Sequence, residues 1–305
     1  MRVHHLNCGC MCPVGGALFD GYSRGLTACL ACHCLLIETE RNGLVLVDTG
    51  FGQGDIRQPE RLSRFFRVFN NIQLEPRFTA LEQVRRLGFE AHDVRHILLT
   101  HLDFDHAGGL QDFPWARVHV MGEEMQQARQ ARDWLGRRRF REPQWRDVED
   151  WAFYEAQGDA WFGFESVRPV LGAEAEDILL VPLPGHTVGH AGIAVRTAEG
   201  WMLHAGDAYF FHDEVHSPER HCPPGMRFYQ WMMETDRAAR MRNQDRLREL
   251  ARTRGDEVAV FCSHDLREWE RAVASGRAGL GHGELGEKAR PADGEGAPGQ
   301  RADST

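Results

Sequence analysis

Thr100-His101-Leu102-Asp103-Phe104-Asp105-His106-Ala107-Gly108-Gly109 sets four side chains that can bind metal close together, directly after the apolar run Ile97-Leu98-Leu99. An apolar run that ends this way reads as a buried strand delivering its last residues to a loop. Imidazole nitrogens and carboxylate oxygens are what a divalent cation of the zinc, manganese or iron group accepts. Two His and two Asp exceed what one tetrahedral site usually takes from a single loop, so the stretch suggests two adjacent ions.

Three other segments repeat the pattern. Val181-Pro182-Leu183-Pro184-Gly185-His186-Thr187 offers His186, Met202-Leu203-His204-Ala205-Gly206-Asp207 offers Asp207, and Val258-Ala259-Val260-Phe261-Cys262-Ser263-His264-Asp265 offers His264. Each candidate follows a strand-like run and sits near a small residue that permits close backbone approach. Only a fold that gathers strand ends can unite donors spaced so widely. Taken singly, His186 or His264 reads as a satisfied core histidine, and an Asp at a strand end as a turn former or helix cap. The ordered set resists that plainer account.

At this point the chain resembles the metallo-β-lactamase fold hydrolases. The matching features are His101-x-Asp103-x-Asp105-His106, Pro184-Gly185-His186-Thr187, Gly206-Asp207, Ser263-His264 and the early Val45-Leu46-Val47-Asp48-Thr49-Gly50. They run in order from about residue 30 to 265, and agreement of order with spacing makes the match specific. The run around His106-Ala107-Gly108-Gly109 is most similar to the branch that includes acyl-homoserine lactonases. The resemblance implies an α/β fold, a four-layer αββα sandwich with two metal ions at one edge between the sheets. It implies His101, Asp103 and His186 as ligands of one ion and Asp105, His106 and His264 as ligands of the other, with Asp207 bridging. The family usually has His where this chain has Asp103. A carboxylate there shifts preference somewhat toward manganese or iron, but zinc also accepts Asp and stays the leading expectation for both ions.

Two such cations, about 3.5–4 Å apart, hold a bridging water as hydroxide near neutral pH and polarise a carbonyl for its attack. Asp105 then reads as a proton shuttle to the leaving oxygen, in addition to being a ligand. Tyr209 reads as a donor to the substrate carbonyl; the lactonases place such a tyrosine one position later, where this chain has Phe210. Asp48 reads as a support that hydrogen-bonds the ligands without binding metal. His190, His204, His212, His216 and His221 stay outside the ligand set.

The leading expectation is therefore a dinuclear hydrolase that opens a lactone or another carboxylic ester. A thioesterase of the glyoxalase II kind would use the same ion pair. A di-iron redox protein would draw on Asp103, but the flavin domain of its flavodiiron relatives is absent. A net charge of −9, from 36 basic and 45 acidic residues, disfavours an RNA phosphodiesterase or another nucleic-acid role. No apolar run spans a bilayer, and Met1-Arg2-Val3-His4-His5-Leu6-Asn7 lacks a secretory core. The expectation is a cytoplasmic enzyme with a small-molecule substrate, no membrane or nucleic-acid partner, and room for a homodimer.

Cysteines crowd the start: Cys8, Cys10, Cys12, Cys29, Cys32 and Cys34. In a reducing cytosol disulfides are disfavoured. Cys29, Cys32 and Cys34 with Cys8 and Cys10 form either a structural zinc site or small apolar groups along a strand. Residues 1–274 read as one domain with insertions at about 53–78 and 123–172, and 275–305 as a disordered tail rich in Gly, Ala, Pro and charge. The second insertion carries Trp134, Trp145, Trp151 and Trp161 around Arg137-Arg138-Arg139 and Arg141. It reads either as a cap whose arginines attract an acidic substrate or as packing with its charges in water.

Overall fold

A computed structural model describes residues 1–171 and 177–275, so the expected tail from 276 onward lies outside the described residues. Two mixed sheets form the centre. The first contains β1 (Arg2–Met11), β2 (Leu30–Glu38), β3 (Leu44–Val47), β4 (Ile72–Gln73), β5 (Val94–Leu98), β6 (Arg117–Met121) and β7 (Trp151–Tyr154), in the order β4-β1-β2-β3-β5-β6-β7. The second contains β8 (Asp159–Trp161), β9 (Phe164–Pro169), β10 (Ile178–Pro182), β11 (Ala191–Thr197), β12 (Gly200–His204) and β13 (Val258–Phe261), in the order β13-β12-β11-β10-β9-β8.

Alternation along the strands dictates the layering, because successive side chains leave opposite faces. Leu35, Ile37, Val45 and Val47 face inward and meet Ile178, Leu180, Ile193 and Val195 of the second sheet in one core. Leu36, Leu46 and Ile97 face outward and pack on Ala80 and Val84 of the helix Ala80–Arg86 and on Met125 of Gly122–Gln130. On the far side, Leu179, Val181, Leu203 and Val260 pack on Leu247 and Leu250 of the helix Arg237–Arg254. The result is the helix–sheet–sheet–helix sandwich expected. Two of its helices start where the sequence signals them: Thr79 accepts from the Glu82 amide and Asp236 from the Ala239 amide.

Strand direction then places the chemistry. β3 and β5 are parallel, with Val47 beside Leu98, and β12 and β13 are parallel, with His204 beside Phe261. β10 runs with β12, since both are antiparallel to β11. The residues after β3, β5, β10, β12 and β13 therefore emerge at one edge.

The insertion at 123–172 is less separate than its sequence suggests. It supplies β7 to the edge of the first sheet and β8 and β9 to the edge of the second. Trp145 is buried in the outer core of the first sheet, and Trp161 packs edge-on to Trp201. No helix among the described residues is long and apolar enough to cross a membrane.

Ile193 is fully buried between the sheets. Ile193→Ala should cost about 2–5 kcal/mol of unfolding free energy through lost burial plus a residual cavity. Denaturant unfolding is expected to show a lower midpoint at unchanged slope. A loss under 1 kcal/mol would mean the inter-sheet core is not packed as described.

Candidate metal centre

The seven candidate donors come together. His101, Asp103, Asp105, His106, His186, Asp207 and His264 are all buried. The ligand atoms of His101, Asp103 and His186 lie within 4.8 Å of one another, and so do those of His101, His106 and Asp207. Asp207 sits between the subsets: its Oδ2 is 3.4 Å from His186 Nε2 and 3.2 Å from His264 Nε2, and its Oδ1 is 3.4 Å from His106 Nε2. His264 Nε2 also lies 3.6 Å from Asp105 Oδ2.

Three of the four imidazoles, those of His101, His106 and His264, are aimed from behind. Asp48, in the left-handed backbone region at φ 55°, accepts from the Thr100 amide and hydroxyl, both at 2.8 Å, and from His106 Nδ1 at 2.8 Å. Because the Thr100 hydroxyl donates to Asp48, its oxygen is left to accept from His101 Nδ1 at 2.9 Å. His264 Nδ1 donates to the Ala31 carbonyl at 2.8 Å. A hydrogen bond at Nδ1 fixes the tautomer that turns the Nε2 lone pair inward. His190 is not a ligand here: it donates from Nδ1 to Leu183 and accepts the Asp207 amide at Nε2, 2.9 Å away.

Divalent cations fit this donor set. His101 Nε2, His106 Nε2 and Asp207 Oδ1 are buried without a hydrogen-bond partner, an arrangement that otherwise costs free energy. The electrostatics agree. Burial opposes charge on His106, yet Asp207 and Asp48 pull it well above the usual histidine range; the same field favours a metal cation at Nε2. Burial would push Asp207 up, but His264, His106 and His186 hold it well below the carboxylate range.

Several residues important to this geometry carry no motif. Glu124, fully buried, accepts from the Leu102 amide at 2.9 Å, the Thr187 hydroxyl at 2.6 Å and the Gly189 amide at 3.2 Å, tying the His101 loop to the His186 loop. Arg139 neither faces water nor awaits a substrate. It is buried and forks onto Asp103, Nε to Oδ1 and Nη2 to Oδ2, each at 2.6 Å. Burial would raise the Asp103 carboxyl, but the guanidinium holds it well below its ordinary range.

Tyr209 requires a correction. Its ring is buried in the outer core of the second sheet, and its hydroxyl donates to Glu268, 3.0 Å away. The turn at Gly206 instead brings Phe210 toward the cluster, with ring centroids 5.8 Å from His186 and 4.9 Å from His264. The nearby phenol is Tyr229, its ring tilted against Phe210 at 5.7 Å, on the helix Pro224–Met233, for which the sequence carries no motif. The cysteines also divide. Cys10 Sγ lies 3.4 Å from Cys12 and 3.6 Å from Cys29, Cys8 and Cys34 join the outer core, and Cys32 sits beside Asp105 and His264. Of the two readings of these cysteines, the zinc site from Cys8, Cys10, Cys29, Cys32 and Cys34 is therefore not assembled, and Cys32 and Cys34 pack along β2 in the cores on its two faces.

Residues 27–264 match the model of the metallo-beta-lactamase superfamily. The chain belongs to this superfamily. Within the superfamily, it is 40% identical over 265 residues to a protein of Mycobacterium tuberculosis named "Probable metallo-hydrolase", covering 87% of this chain and 80% of that one. An N-acyl homoserine lactonase of Bacillus cereus is 28% identical over 218 residues, 67% of this chain and 78% of its own. Among solved structures, an N-acyl homoserine lactone hydrolase with N-hexanoyl-L-homoserine at its catalytic metal center superposes with a TM-score of 0.65 at 20% identity, covering 88% of this chain and 95% of that one. A dizinc quorum-quenching lactonase gives 0.55 at 18% identity, with 86% of each chain covered. At those identities the structural likeness concerns the fold.

Asp48→Asn would put an amide N–H against His106 and Thr100 in place of an acceptor. Metal titration of the apoprotein should show affinity about 10–100-fold weaker. Unchanged affinity would remove Asp48 from any supporting role.

Proposed function

We propose that the protein is a dinuclear metal-dependent hydrolase of lactones or other carboxylic esters. The observation that carries this reading is the convergence of seven buried donors, Asp207 and six others, with three of their ligand atoms having no partner in the protein. His101, Asp103 and His186 would hold one ion and Asp105, His106 and His264 the other, with Asp207 between them. Bound there, two divalent cations supply a nucleophilic water at neutral pH and polarise a carbonyl. Kinship with a metallo-hydrolase and with acyl-homoserine lactonases supports the reaction class.

The chain's own residues shape the rest. Phe51, Phe66, Phe104, Phe210 and Tyr229 belong to one apolar cluster beside the donors. Such a wall excludes water and suits an acyl group. Burial raises the Asp105 carboxyl, with His106 and His264 opposing, which equips it to carry a proton to a leaving oxygen. Tyr229 accepts from Asn70 Nδ2 at 2.9 Å, leaving its own O–H to donate to a substrate oxygen. It takes over the part expected of Tyr209.

Purified protein loaded with zinc, manganese or iron should hydrolyse members of a panel of lactones, aryl esters and thioesters, with metal measured in parallel. Loaded protein inert toward the whole panel would overturn the ester reading, and thioesters alone would redirect it to a thioesterase. Tyr229→Phe is expected to lower kcat about 10²-fold with metal content unchanged; an unaltered kcat would exclude Tyr229 from the reaction.

A further inference from the structure

Arg139 touches one half of the donor set and not the other. Besides its fork onto Asp103, its Nη2 lies 2.9 Å from His186 Nε2, which is also 3.0 Å from Asp103 Oδ2 and so is committed within this Arg139–Asp103 pair in either tautomer, and its Nη1 donates to the Met233 carbonyl. Arg139 reaches neither His101 Nε2 in the same half nor His106 Nε2 in the other, both of which have no hydrogen-bond partner, and His264 Nε2 faces Asp207 at 3.2 Å. An imidazole nitrogen has one lone pair, so it cannot serve a guanidinium N–H and a metal ion together. A carboxylate already forked by arginine is also a poorer donor to a second cation. Finally, a fixed positive charge opposes a divalent cation placed beside it.

We infer that Arg139 makes the two metal positions unequal: the position of His101, Asp103 and His186 binds its divalent cation more weakly than that of Asp105, His106 and His264. This rests on the dinuclear reading above. Arg139 is a positioning residue that must release His186 Nε2 before the weaker position fills, while it can keep its fork on Asp103. Asp103 and Arg139 are thus two matched departures. The carboxylate stands where the family usually has histidine, and the insertion brings its counter-ion.

The test is a titration of apoprotein with cobalt(II), followed by calorimetry and by the visible spectrum. The expected result is two binding steps separated at least tenfold in affinity. Arg139→Met, which keeps an apolar stem without the charge, should tighten the weaker step about tenfold or more and leave the tighter one in place. That variant leaves Asp103 without its buried counter-ion and risks misfolding. A measurement on the unaltered protein therefore accompanies it: mild chelation of the fully loaded protein should leave close to one ion per chain by elemental analysis. Two indistinguishable steps, or two ions lost together, would overturn the inference while leaving the dinuclear reading intact. A gap unchanged in Arg139→Met would remove Arg139 as its cause. Failure to bind any cobalt would instead sink the dinuclear reading itself.

Discussion

The hydrogen bonds at Nδ1 are the constraint on which this centre depends. His101, His106 and His264 each spend that atom on the protein, through Thr100, Asp48 and the Ala31 carbonyl. With Nδ1 committed, each ring has one orientation and one free lone pair, and all three Nε2 atoms point into the space around Asp207. Pre-aimed donors bind without the ordering cost that flexible ones incur. They also leave buried lone pairs that nothing else in the protein satisfies. Stability and metal recognition are therefore coupled: a cation relieves a burden the folded chain already carries.

That orientation is possible only because the two sheets deliver their strand ends to the same edge. Asp48 follows β3 and reaches across to the loop after β5, a contact made available by the parallel pairing of these strands. The loop after β13 is tied to β2 by the Ala31 carbonyl and by the His33 amide, which donates to Ser263. His204 adds another tie through its Nε2 to the His33 carbonyl, 2.7 Å away. Donors far apart in sequence are fixed by strand register, and register is fixed by alternation of apolar residues across each sheet.

This division explains what could be read from the sequence. Apolar runs ending in His or Asp were legible because both signals are local: a strand pattern and a donor next to it. The layer order followed from the resemblance those motifs carried. Tyr209 was misplaced because its direction depends on the turn after Gly206, whose φ of 55° resets the alternation. The extent of β1 to Met11 is not legible either, because an irregularity between Asn7 and Cys10 breaks the simple period. Glu124 and Tyr229 sit on helices and reach the site by packing alone, leaving no spacing to recognise.

The insertion shows most clearly how tertiary context overrides local appearance. Its run of arginines and tryptophans has the composition of a solvated cap. Three of its polar side chains instead run inward and hold the loop that carries four of the donors. Glu124 takes the Leu102 amide, Arg139 takes both oxygens of Asp103, and Gln144 Nε2 donates to the Phe104 carbonyl at 2.9 Å. Consecutive residues 102, 103 and 104 are thus each held by a different insertion element. A short loop so restrained cannot adjust its ligand geometry without disturbing the insertion, and a substitution in the insertion reaches the donors through backbone and carboxylate alike. The segment is better understood as the outer wall of the centre than as a lid over it, and changes in its sequence act on cation binding as much as on access.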